Sequence, residues 1–194
     1  GFFAGELSVW TGKRGVGKST ILGQLLLEAI DQGHTVCAYS GELPKEQFRE
    51  WIYLQAAGPE HIVYETDEAT GKRLAMADLM TDKRISEWLD ERFWLFDLEK
   101  NTKHDPETIL KQFEYAKMRY NADVFLVDNI MSVDFDGFPD RDFNRVQSRF
   151  TQMLVTFSKR RQVHTHLVVH PRKSTSDTNS KVSSDDVSGS GDIT

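Results

Sequence analysis

The chain has 194 residues, with 24 Lys and Arg against 30 Asp and Glu, a net charge of −6 and one cysteine. That length fits one domain, and 39% hydrophobic residues with 11% aromatics can build a core, which excludes a wholly disordered chain. One cysteine excludes an internal disulfide and a cysteine-built zinc site and points to a reducing, intracellular setting; no apolar run approaches the roughly 20 residues of a membrane helix; and the acidic balance confines any nucleic-acid binding to a local patch.

Taken in chain order, short β-rich runs alternate with helical patterns. Leu7 to Trp10 reads as a strand running into a glycine-rich turn. From Ser19 to Gln32, Ile21, Leu22, Leu25, Leu26, Ala29 and Ile30 recur at helical spacing, and Gly33 is placed to end that helix. Thr35 to Tyr39 is a second strand, and Lys45 to Ala57 a helix with Phe48, Trp51 and Ile52 on one face. Thr66 to Lys72 reads as a loop and Leu74 to Leu89 as a helix, an insertion before a third strand at Phe93 to Phe96. Asp105-Pro106-Glu107 supplies an N-cap, a first-position proline and a first-turn acid for a helix to about Tyr120. Val124 to Val127 is wholly apolar, as in a parallel strand covered on both faces. Phe143 to Arg161 is helical, and His166 to Val169 is a fifth strand. Strands alternating with helices predict βαβ crossovers and a mostly parallel sheet flanked by helices. From Ser174 to Thr194 there are seven Ser, three Thr and four Asp but only three aliphatic residues, too few to pack a core, so a mobile segment is expected. The chain opens Gly1-Phe2-Phe3, without an initiator Met, and closes on Ser188-Gly189-Ser190-Gly191-Asp192-Ile193-Thr194, where no element has clearly ended; this reads as a piece of a longer protein.

The glycine-rich turn carries the chemistry. Gly12-Lys13-Arg14-Gly15-Val16-Gly17-Lys18-Ser19 fits G-x-x-x-x-G-K-[ST] between a predicted strand and a predicted helix, the context that motif requires. Its glycines let backbone N–H groups wrap phosphate oxygens, and the helix N-terminus adds its dipole. Lys18 is expected on the β- and γ-phosphates, as a binding and catalytic charge, and Ser19 on Mg²⁺; Thr20 completes the nucleotide-binding positions Gly12 to Thr20. Asp128, ending the fourth strand, is the second expected magnesium ligand. Hydrolysis also needs a base for water. Asn129 follows Asp128, so the base must come from elsewhere, and Glu42, just past the second strand, lies where such sheets form their ligand crevice.

Together these residues resemble the RecA-like helicase domain of the DnaB family, in particular the Twinkle and phage primase-helicase branch. The resemblance runs from Gly5-Glu6-Leu7 through Glu42 and Leu126-Val127-Asp128-Asn129. Its most specific parts are Leu167-Val168-Val169-His170-Pro171-Arg172-Lys173 and then Ser188-Gly189-Ser190-Gly191. It implies a RecA-like P-loop ATPase core over residues 1–173, and a Ser/Asp/Gly-rich DNA-binding loop over 174–194 that leads into sheet strands beyond Thr194. By that resemblance Glu42 is the catalytic base and His170 a sensor that couples the γ-phosphate to DNA. Arg172, Lys173, Ser188, Gly189, Ser190 and Gly191 lie on the loop facing single-stranded DNA. It further implies an ATP-driven motor that separates duplex, a hexameric ring, an arginine finger further along the chain and a primase domain before it. No membrane is implied, and a bacterial or phage-infected cytoplasm is favoured over a mitochondrion.

Two other functions fit the same residues: a recombinase ATPase of the RecA type that pairs strands, and a nucleotide-gated DNA-binding scaffold with little turnover. A GTPase is disfavoured, since Asn101-Thr102-Lys103-His104 lacks the aspartate of a guanine reader. Lys159, Arg160 and Arg161 read as a solvated helix end, where cations are favoured. His164 and His166 read as ordinary strand or loop residues.

Overall fold

A computed structural model describes residues 1–13, 15–96, 103–136 and 143–170. The main sheet has five strands, β1 (Leu7–Thr11), β2 (Val36–Ser40), β5 (Phe93–Leu95), β6 (Val124–Asp128) and β7 (His164–Val169), in the order β1-β7-β6-β2-β5. Every pairing in it is parallel. Parallel neighbours need crossovers, and these are the helices α1 (Lys18–Asp31), α2 (Lys45–Ala57), α3 (Leu79–Leu89), α4 (Pro106–Tyr120) and α5 (Phe143–Arg161).

The side-chain period of two divides each strand between two cores. Val36, Ala38, Leu126 and Val168 face α1, α2 and α3, where Leu22, Leu26, Ile30, Phe48, Ile52, Ile85 and Leu89 are buried. Cys37, Tyr39, Phe125, Val127, Leu167 and Val169 face α4 and α5, against Ile109, Phe113, Phe150, Leu154 and Phe157. The expected α/β sheet flanked by helices is therefore the observed one. No helix among the described residues is long and apolar enough to cross a membrane.

Local signals set most boundaries. Asp105 caps α4 by accepting from Thr108 N at 2.8 Å, Pro106 opens the helix, and Asn121 closes it in the left-handed conformation (φ 53°). Gly33, at φ 91°, follows the end of α1 as its spacing predicts. The α5 terminus is solvated as expected, with Lys159 and Arg160 exposed, and it is also paired to α4: Arg160 and Arg161 both donate to the Glu114 carboxylate, Arg161 Nε at 2.5 Å.

Residues 62–78 depart from expectation. Where a helix from Leu74 is predicted, the chain forms an antiparallel hairpin of β3 (Ile62–Thr66) and β4 (Arg73–Ala77), separate from the main sheet. Arg73-Leu74-Ala75-Met76-Ala77 is composed of good helix formers, so propensity points the wrong way. Its partner strand and the turn decide. Asp67 accepts from Ala69 N at 3.0 Å and from Gly71 N at 2.7 Å, and Gly71 takes φ 67°. The helix begins only at Leu79, because the Asp78 carboxylate accepts from Met80 N and Thr81 N at 3.0 and 2.9 Å. A smaller difference is that β7 begins at His164, two residues before the predicted start.

Phe125 is fully buried, its ring 4.8 Å from Phe113 and 5.0 Å from Phe157. Phe125→Ala is expected to cost about 3–5 kcal/mol, read as a lower urea midpoint with unchanged slope.

Candidate nucleotide site

The parallel register brings four strand ends to one edge. Thr11 of β1 lies opposite Val169 of β7, Val127 of β6 opposite Leu167, and Ser40 of β2 opposite Asp128. The phosphate loop, His170, Asp128 and Glu42 follow directly from those ends. Residues far apart in the chain thus meet where open α/β sheets bind ligands.

Gly15 and Gly17 take positive φ, 81° and 89°, conformations a β-carbon would strain. Gly17 is the N-cap of α1 and makes no side-chain cap bond, so the first helical N–H groups are free of a capping side chain. The Lys18 ammonium folds back on the loop, donating to Gly12 O at 2.8 Å and Lys13 O at 3.1 Å. Gly12, Lys13, Gly15, Val16, Gly17 and Lys18, expected as the phosphate cradle, are brought together in this loop. Ser19 and Thr20 continue into α1. Arg14, assigned to the same cradle, lies outside the described residues.

Ser19 Oγ donates to Asp128 Oδ2 at 3.1 Å. Asp128 is 4% exposed, and its Oδ1 is buried with no hydrogen-bond partner among the described residues. A buried carboxylate oxygen without a partner beside a serine hydroxyl is a pair of hard oxygen donors, which suits Mg²⁺ shared with phosphates. Among the described residues no cluster of three or more His, Cys, Asp or Glu could hold a metal by itself. Burial raises the Asp128 carboxyl above its ordinary value; the Ser19 bond opposes the rise, Glu42 adds to it, and His170 and Lys18 oppose it.

Glu42 meets two donors. Its Oε1 accepts from Asn129 Nδ2 at 2.6 Å and from His170 Nε2 at 3.0 Å. A carboxylate only accepts, so Nε2 carries the histidine proton. The expected base and the expected sensor are thus in direct contact. Glu42 reaches this position because Gly41 has no side chain: a β-carbon there would overlap Ser132 Oγ and Cβ. Ser132 belongs to the 3-10 turn Ile130–Ser132 that follows the Asp128–Asn129 peptide, which is cis. Gly41 N also donates to Asp128 O at 2.8 Å, joining the two strand ends.

His164 and His166 are structural. His164 bonds Phe3 O at 2.9 Å and Ser8 Oγ at 3.0 Å, and Trp10 Nε1 donates to His166 Nδ1 at 3.2 Å. Burial, reinforced by His164, pushes His166 down to about 3, so its ring is neutral. The positions assigned to DNA, Arg172, Lys173, Ser188, Gly189, Ser190 and Gly191, lie outside the described residues. Asn129 and Gly41 are the site residues that sequence reasoning missed. Asn129 is legible only as the absence of a glutamate, and its contact with Glu42 spans 87 positions.

A parallel sheet with a phosphate loop on one strand and an acid on another defines a P-loop nucleotide-binding domain of RecA-like fold. A family model described as AAA domain matches residues 1–176, and the chain belongs to that family. Among solved structures it is similar to a DnaB-like replicative helicase, described together with its interactions with primase: TM-score 0.69, 12% identity, over 89% of this chain and 40% of that one. It is also similar to a second solved structure, described as an ATPase domain, with TM-score 0.73 and 13% identity over 96% of this chain and 65% of that one. At such identities the likeness is one of fold, and the expected likeness to DnaB-type domains holds at that level. The chain spans less than two thirds of either structure. No curated protein matches it.

Two outcomes follow from the geometry. Gly41→Ala drives a β-carbon into Ser132 and is expected to cost about 1–3 kcal/mol of stability; a melting temperature equal to the parent's would contradict the packing. For Asp128 the sign is set by its raised value. Such a carboxyl holds its proton more tightly when folded, so ionising it costs stability. The cost is absent below the ordinary 3.8 and grows as pH climbs through the interval up to the raised value. Asp128→Asn is therefore expected to melt above the parent at neutral pH without nucleotide, with the gap closing as pH falls below 3.8. Thermal melts across that range are the measurement.

Proposed function

We propose that this chain is the ATP-hydrolysing motor domain of a replicative DNA helicase. The observation that carries the proposal is the convergence of Lys18, Ser19 with Asp128, and Glu42 with His170 at one sheet edge. The phosphate loop binds ATP through Gly12 to Thr20. Ser19 and Asp128 hold Mg²⁺, which neutralises charge on the β- and γ-phosphates when bound. Glu42 takes a proton from water as the water oxygen bonds to the γ-phosphorus; the bond from γ-phosphorus to the bridging oxygen breaks, and ADP leaves with the electron pair. His170 links Glu42 to the segment that follows it.

In this reading residues 1–173 are the ATPase core, and residues 174–194, with Arg172 and Lys173, meet single-stranded DNA. The full-length protein assembles as a hexameric ring, with a primase domain as its partner in replication. The support is the fold shared with a replicative helicase and with an ATPase domain, and the order of the motifs along the chain. An intracellular location accords with that work.

The test is nucleotide binding, ATP turnover with and without single-stranded DNA, and unwinding of a forked duplex by the full-length protein. Lys18→Ala is expected to abolish ATP binding. Glu42→Gln is expected to spare binding and lower turnover by about 10²–10⁴-fold, the usual weight of a general base. Strand pairing without unwinding would replace the motor by a recombinase. Binding without DNA-stimulated phosphate release would leave a scaffold.

A further inference from the structure

We infer that Asn129 is a positioning residue for ATP hydrolysis: its side-chain amide anchors the Glu42 carboxylate to the sheet. The inference rests on the assignment of Glu42 as the base.

The orientation of this amide is fixed from both sides. Asn129 Oδ1 accepts from Met131 N at 2.7 Å. A backbone N–H can donate only to the oxygen, so the NH₂ group must face Glu42, where it donates to Oε1 at 2.6 Å. Asn129 is 1% exposed. Its carbonyl accepts from Ser132 N at 3.2 Å and Ser132 Oγ at 2.6 Å, and Tyr39 OH donates to Ser132 O at 3.0 Å. Asn129 therefore cannot swing away without breaking the turn that holds it.

His170 uses the same oxygen of Glu42 but differs in kind. Its side chain is 24% exposed, and its bond is longer, at 3.0 Å. One donor is buried and locked, the other is at the surface and next to the segment that leads onward. Because both donors take Oε1, neither blocks Oε2. Oε2, on which neither bond ends, is the oxygen left to accept a proton from water. Loss of the anchor leaves the carboxylate, on its short loop, held only by the more exposed His170, so its accepting oxygen is in place for a smaller fraction of the time. Binding of ATP, which the phosphate loop provides, is untouched. The effect falls on kcat.

The experiment is steady-state hydrolysis over an ATP titration by the full-length protein with Mg²⁺ and single-stranded DNA, alongside thermal melts. Two variants share the work. Asn129→Ala removes the amide. Asn129→Asp keeps the oxygen that accepts from Met131 N, and so keeps the turn, but cannot donate to Glu42 when ionised. Each is expected to lower kcat about ten- to hundredfold, the weight of a hydrogen bond to a charged group, with KM for ATP within about twofold. Placed on Glu42→Gln, Asn129→Ala is expected to add no more than about a twofold loss, because the two groups act as one unit. Wild-type kcat in Asn129→Asp overturns the inference while leaving Glu42 as the base, and it decides the matter even if Asn129→Ala fails to fold. A rise in KM with kcat unchanged overturns it too. So do losses that multiply in the double variant. If Glu42→Gln alone keeps wild-type turnover, the base assignment has failed, and the role of Asn129 fails with it.

Discussion

The insertion of β7 between β1 and β6 is the constraint on which this molecule depends. Parallel pairing points every strand the same way, so whatever follows a strand's last residue is delivered to one edge. Thr11, Ser40, Asp128 and Val169 are separated by up to 158 positions in the chain, yet the register places them side by side. The hydrophobic cores on the two faces hold that register, because a one-residue slip of β6 would exchange Phe125 and Val127 with Leu126 between cores of different shape. Chemistry at the edge is thus secured by packing well below it.

Concentrating function at that edge concentrates charge. Asp128 and Glu42 both lie there, and the burial of Asp128 disfavours its ionised form. The protein supplies partial relief through Ser19, His170 and Lys18, and among the described residues one buried oxygen of Asp128 has no partner. Such a group is costly in a protein selected for stability alone. Its presence accords with a site shaped for a cation and phosphates rather than for the folded chain by itself.

The sequence makes the main sheet legible because its strands are short apolar runs and its helices carry clear end signals, such as Asp105-Pro106 and Gly33. The phosphate loop is legible because its chemistry is local: eight consecutive residues create the turn and the helix start together. Asp128 and Glu42 are legible from their places after strands. The β3–β4 hairpin is not, since its strand character comes from pairing and from an Asp67 turn rather than from the composition of Arg73 to Ala77. Asn129 escapes for a related reason. Its value lies in which atom meets which partner across the sheet edge, and no spacing within one segment encodes that. Nor does the motif show why Gly41 must be glycine, which depends on Ser132 arriving from another strand.

The hairpin also has a practical use. It stands outside the five-stranded sheet, and its turn at Glu68, Ala69, Thr70 and Gly71 is exposed to solvent. Its register is written by its own backbone bonds and by the Asp67 side chain, and no ladder of the main sheet passes through it. Loop tips of this kind accept foreign sequence readily. A fluorophore-bearing peptide or an affinity tag spliced between Ala69 and Thr70 would open the Asp67 turn, so its disturbance would fall on the hairpin rather than on the five-stranded sheet.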